Sequence, residues 1–150
     1  MTRDEIKARR GLAALAEDEQ GRMLLQLALR GIQTSGNGVT VGCWVKPGGG
    51  VSGCVFQHAY WQGVNEGVFH VDGAADREIK ELVSEHDFAL VMNAIRALDS
   101  LGKRRFLRWH RLHRQLDEVA WRNTVERLLI DVLAQGASAA GEVPVSGSAR

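Results

Sequence analysis

The chain has 150 residues, 45% apolar and 25% charged, with a formal net charge of +1. This is the size and makeup of one globular domain, and it gives the molecule as a whole no electrostatic bias towards nucleic acid or a membrane surface. No stretch approaches 18 consecutive apolar residues, and the charged start MTRDEIKARR has no apolar signal region, so neither a membrane span nor a secretory leader is expected.

Two cysteines without a leader point to a reduced, cytoplasmic setting, and the abundance of Ala, Arg, Gly and Val is in keeping with a bacterial gene of high GC content. Thr2 and Glu5 form an S/T-x-x-E capping box that opens a first helix reaching about Ala16. Glu17, Asp18 and Glu19 suit the positive end of a second helix, which runs to about Gln33. Gly11, Gly21 and Gly31 recur at intervals of ten, but nothing else repeats with them and the spacing is read as coincidence. TSGNG at 34–38 ends the helix.

In residues 39–45, Val39, Val41, Cys43 and Val45 alternate with Thr40, Gly42 and Trp44, the two-residue period of a strand. KPGGG at 46–50 is a turn, and 51–56 can return as the second strand of a hairpin that sets Cys43 opposite Cys54. A second reading starts a helix at Ser52 and carries it through Trp61, with Gly63 ending it. Both stay open. Residues 67–71, GVFHV, suit another short strand.

From Asp72 or Ala74 onward the pattern is helical. One helix carries Ile79, Leu82 and Val83. The next is capped by Ser84 and Asp87, shows the stripe Phe88, Val91, Ile95 and Leu98, and closes at Gly102. In the region from Lys103 to Gly136, Phe106, Trp109, Leu112, Leu116, Val119 and Ala120 fall on one helical arc. Trp121, Val125, Leu128, Leu129, Val132 and Leu133 fall on nearly the opposite arc. One straight helix cannot present both to one core. A break near Trp121–Thr124, capped by Asn123 or Thr124, lets the helix around Leu24–Ile32 cover the second arc, and it is the favoured arrangement. A continuous helix would leave that arc exposed; a second copy of the chain is then the expected partner, in a homodimer through residues 121–133 with Leu129 and Val132 at or near the interface. The small, polar run at 137–150 reads as a disordered tail behind a single domain of residues 1–136. The expected fold class is α+β, predominantly helical: five to six helices with a small Gly-rich β-hairpin between N-terminal and C-terminal helical parts.

The stretch 42–67 gathers both cysteines, two tryptophans, the one tyrosine and His58 among seven glycines. Cys43, Cys54, His58 and His70 are metal-ligand types, but C-x10-C-x3-H is not a zinc spacing, so no metal and no cofactor are expected. Cys54 could act as a nucleophile with His70 and Asp72 as base and orienter of a thiol hydrolase, although the sixteen residues from Cys54 to His70 are short for such enzymes. KPGGG lacks the P-loop lysine and hydroxyl pattern. His58, Tyr60, Trp61 and Asn65 form the best small-molecule or peptide contact surface, with polar handles on apolar bodies. Residues 103–114 hold six Lys and Arg and no acid; on a helix, Lys103, Arg104, Arg108, Arg111 and Arg114 would make a cationic face able to track phosphates. The expected function is binding or regulation without catalysis, with self-association. The alternatives are a nucleic-acid-binding regulator using the basic helix and, third, the thiol hydrolase. Another protein remains a further class of partner.

Overall fold

The computed structural model describes residues 1–45 and 51–147. Among them are six helices and two very small sheets: α1 Arg3–Leu15, α2 Glu19–Thr34, β1 Gly38–Val39, β2 Ser52–Gly53, α3 Val55–Asn65, α4 Ala75–Leu82, α5 Glu85–Arg105, β3 Leu107–His110, β4 His113–Leu116 and α6 Glu118–Gly147. The predominantly helical α+β class is thus the observed one. No helix of the described residues is long and apolar enough to cross a membrane.

Local chemistry sets most helix starts. Thr2 Oγ1 accepts from Glu5 N–H at 3.2 Å, Asp18 Oδ1 from Gly21 N–H at 2.8 Å, and Ser84 Oγ from Asp87 N–H at 3.1 Å. Each satisfies an amide that the first turn cannot bond internally. The capping box at Thr2 is only half closed, because the Glu5 carboxylate instead accepts from Arg127 of α6 at 2.8 Å.

The core is built around α2. Leu24, Leu25, Leu27, Ala28 and Ile32 are all fully buried, a face too wide for one partner, and α2 packs on both α3 and α6. Gly31 makes the α2–α3 crossing close: a Cβ there would lie 2.8 Å from the His58 carbonyl oxygen on α3. α1 lies against α5 and α6, burying Ala8, Leu12 and Leu15.

Of the second arc, Trp121, Val125, Leu128, Leu129 and Val132 are at most 3% exposed and Leu133 is half-buried against the same core, with α2 covering the face. The face named for a homodimer is therefore occupied within the chain. The break that permits this comes earlier than Asn123: Asp117 accepts from Ala120 N–H through its side chain at 3.2 Å and from Trp121 N–H through its carbonyl, so α6 starts at Glu118. The backbone of α6 continues to Gly147, so the boundary expected at 136 falls inside a helix; residues 148–150 lie outside the described residues.

The expected hairpin of residues 39–56 does not form. β1 pairs with β2 in parallel, Gly38 to Ser52 and Val39 to Gly53, and Val45 meets Gly53 in one antiparallel bridge. Between them the chain doubles back: Gly42 has φ +80°, and its N–H donates to Asp99 of α5 at 2.9 Å. Cys43 and Cys54 are consequently not cross-strand neighbours. Cys54 is the N-cap residue of α3 and its N–H donates to the Trp44 carbonyl at 2.8 Å. The helical reading is right only from Val55 to Trp61: Ser52 and Gly53 form β2, so Ser52 is not the cap, and α3 runs past Gly63 to Asn65. The strand expected at 67–71 is a turn instead: Gly67 at φ +79° leaves the end of α3, and Val68 N–H returns to the Gly63 carbonyl at 2.7 Å. Gly102 does not end its helix either; α5 runs three residues further, and Gly102 is where Val41 and the Trp121 ring leave no room for a Cβ.

The N-terminal turns of α2 and α5 meet at Asp18 and buried Asp87. Their side chains share a hydrogen bond, which raises the Asp87 carboxyl pKa above its ordinary range, with burial adding to it, and lowers that of Asp18. Of the two, Asp87 is therefore the carboxyl that takes up a proton first as the pH falls, and once protonated it can donate to Asp18. A raised folded-state pKa contributes stability below the ordinary carboxyl range and loses it as pH rises through the raised value; the depressed Asp18 does the reverse on the acid side. Asp87→Asn keeps a donor at every pH. Urea melts should show the variant more stable than wild type at pH 7, by about 1 kcal/mol, with the gap closing in acid. A variant less stable at pH 7 would mean that the pair shares no proton.

Candidate nucleic-acid interface

The basic segment is not a helix. Lys103, Arg104 and Arg105 form the last turn of α5, where cations suit the negative end of the dipole. Residues 107–116 are an antiparallel ribbon, with Leu107 opposite Leu116, Arg108 opposite Gln115, Trp109 opposite Arg114, and His110 opposite His113. Asp117 N–H donates to the Phe106 carbonyl at 2.7 Å and closes the root. Phe106 packs on Trp121 with ring centroids 5.4 Å apart, and Leu116 packs against the core, so the ribbon is anchored at its base.

Beyond the base, the hydrogen bond back to the body among the described residues is a long one, from Arg114 Nη2 to the Lys103 carbonyl at 3.5 Å. Every described side chain from Arg108 to Gln115 is exposed, on both faces of the ribbon. Four strand residues at about 3.3 Å each put the tip roughly 13 Å beyond the root. The first arc of the sequence is thus split: Phe106 and Leu116 are half-buried, while Trp109 is 73% and Leu112 88% exposed.

Pleating sorts the side chains. Trp109 and Arg114 share one face with Leu107 and Leu116, and Arg108 and Gln115 lie on the other. The Arg114 guanidinium lies 6.0 Å from the centroid of the Trp109 ring, a cation–π contact that ties the two strands. Arg111 leads the turn at φ 57°, a conformation unusual for a residue with a Cβ. Residues 103–114 carry +6 in a chain of +1, so the remainder carries −5. Among the described residues only Arg104 of the six makes an ion pair, with Asp4 at 3.2 Å. At the root, Arg105 and Phe106 border a pocket of about 520 Å³ whose far wall holds Arg127.

The other candidate residues have structural partners. His58 is 1% exposed, and its Nε2 donates to the Gly38 carbonyl at 2.8 Å, pinning α3 to β1. Burial lowers its pKa, so it is neutral. The Trp61 ring meets it edge-on at 5.3 Å. Tyr60 is buried, with its hydroxyl 2.5 Å from the His70 carbonyl and 2.8 Å from that of Gly73, and it holds the turn after α3. Trp61 is half-buried and Asn65 exposed, so His58, Tyr60, Trp61 and Asn65 do not form one contact surface.

Nor is a thiol nucleophile assembled. Cys54 is 6% exposed and burial pushes its thiol up to about 11, which keeps it protonated at neutral pH. His70 is bonded to Glu78 through both Nδ1 and its backbone N–H, and among the described residues no hydrogen bond joins Cys54 to His70 or Asp72. Among the described residues no three His, Cys, Asp or Glu side chains are grouped to hold a metal ion. KPGGG, residues 46–50, lies outside the described residues.

No known protein family, curated protein or solved structure matches this chain.

Proposed function

We propose that this is a binding module without catalysis, and that the β3–β4 ribbon is its nucleic-acid-contacting element. One observation supports this most: six cations without an acid, five of them without an ion pair among the described residues, sit on and beside a ribbon whose described side chains from 108 to 115 all face solvent. A protein gains little from projecting like charges into water, because they repel one another and a lone two-stranded ribbon is marginal. Bound phosphates reverse the sign of that interaction and release counterions. A cytoplasmic location goes with this reading, since both cysteines are free thiols.

Fluorescence anisotropy with a labelled oligonucleotide tests it. The logarithm of Kd should rise linearly with the logarithm of salt concentration, with a slope of roughly 2–4 for three to five phosphate contacts. The triple variant Arg108→Ala/Arg111→Ala/Arg114→Ala should keep its melting temperature, because all three side chains are exposed, and should lose about 2 units of that slope. Absence of binding at 50 mM salt, or a triple variant that binds like wild type, overturns the reading.

A further inference from the structure

We infer that the ribbon selects single-stranded over duplex nucleic acid, with one unpaired base stacked on Trp109. This rests on the reading above and names its substrate class.

Charge alone does not choose between the two forms, because both present phosphates. The apolar side chains do. Trp109 is 73% exposed, lies outside the hydrophobic core, and sits in mid-ribbon on the face that also carries Arg114. Leu112, 88% exposed, marks the tip. The Arg114 guanidinium lies over one face of the Trp109 ring, 6.0 Å from its centroid, so a base would stack on the other face of this 73% exposed residue with a phosphate partner close by. This pairing is what single strands require. Their bases offer open π-faces to aromatic side chains while basic residues follow the backbone.

A duplex would use the ribbon differently. A two-stranded ribbon fits the major groove, where base edges are read by hydrogen-bonding side chains. Arg108 and Gln115, cross-strand partners on the opposite face, and exposed His113 on that same face are residues of that kind. Placing that face towards the bases would leave Trp109 turned away in water, because the bases of a duplex are already stacked on one another. The single-strand mode engages both Trp109 and Arg114 and leaves Arg108 and Arg111 for flanking phosphates.

The experiment compares a labelled 16-nucleotide single strand of mixed sequence with its annealed duplex, at the same salt, for wild type, Trp109→Ala and Trp109→Phe. Wild type should bind the single strand at least about tenfold more tightly. Trp109→Ala should weaken single-strand binding by about tenfold or more and change duplex binding by less than about twofold, while Trp109→Phe keeps most of the affinity. Circular dichroism should show that both variants retain the fold, because the Trp109 ring is exposed. Equal or tighter duplex binding, or single-strand binding unaffected by Trp109→Ala, overturns the inference while the phosphate-binding reading stands. Failure of both forms to bind at 50 mM salt overturns that reading itself, and the inference with it.

Discussion

Replacing Leu129 by Asp should leave the chain without a stable fold at 25 °C. Leu129 is fully buried on α6, in the layer where α6 packs on α2. Truncating a leucine at such a site costs about 2–5 kcal/mol through lost burial and the cavity left behind. The Asp carboxylate adds a desolvation cost of several kcal/mol, or the cost of taking up a proton to avoid it. Together these approach the whole stability of an ordinary domain, about 5–15 kcal/mol. Far-UV circular dichroism should therefore show most of the helical signal gone before any denaturant is added. Were Leu129 on a surface shared with a second copy, the same substitution would give a folded, fully helical monomer. That outcome would displace α6 from the core described above.

The helical part of the fold was legible because its signals are local. Thr2, Asp18 and Ser84 announce three helix starts within the next few residues, and the stripe Val91, Ile95 and Leu98 repeats at the helical period. The reversed arc from Trp121 onward favoured a break, and one exists, but it lies before Glu118 and not at Trp121–Thr124, which are inside α6. What filled the discontinuity was misread. In FLRWHRLHRQL, Phe106, Trp109, Leu112 and Leu116 fit a helical face, and the turn lacks the Gly or Asn that usually marks a two-residue hairpin, with Arg111 taking positive φ in their place. A signal was present in the mirror order around Arg111–Leu112, with His110 facing His113 and Leu107 facing Leu116.

The stretch 39–45 failed the opposite way. Its alternation of apolar residues looks like a strand, but Asp99, 57 residues away from Gly42, bends it into a loop, and no local pattern contains that contact. The glycines at 11, 21 and 31 are a coincidence of spacing only in part. Each sits where a Cβ would crowd a neighbour, but the neighbours are unrelated: Ala94, Leu15 and His58. The candidate site was visible as charge and hidden as shape. Six cations without an acid can be counted in the sequence; that they stand on an exposed ribbon beside an exposed Trp109 follows only from what the body of the fold leaves uncovered.

The largest effect expected outside the apolar core belongs to Arg122. α2 ends at Thr34 with no basic residue in its last turn, so its final carbonyls lack a cation of their own. Arg122 reaches in from α6 and supplies it. Its Nη1 donates to the Asn37 carbonyl at 2.5 Å and its Nη2 to those of Ile32 and of Ser35, the latter at 2.8 Å. One guanidinium thus closes the end of α2, fixes the link to β1 and ties both to α6. Its planar fork suits this, since several N–H groups lie in one plane with little freedom left to lose. In Arg122→Met the aliphatic stem remains and the donors disappear, so the three carbonyls lose their partners together. Hydrogen bonds from a charged donor contribute about 1.5–3 kcal/mol each but do not add when one group makes all of them. A total loss of about 3 kcal/mol is expected in urea melts. Arg122→Lys should recover less than half of it, because an ammonium is a compact point donor that cannot span carbonyls on both sides of Ser35. Amide exchange gives the spatial check: protection should fall first at Ser35, whose N–H donates to the Gly31 carbonyl, and at Gly38, whose N–H donates to that of Val51. A loss below about 1 kcal/mol in Arg122→Met, with exchange unchanged at those two amides, would show that water satisfies the end of α2 equally well.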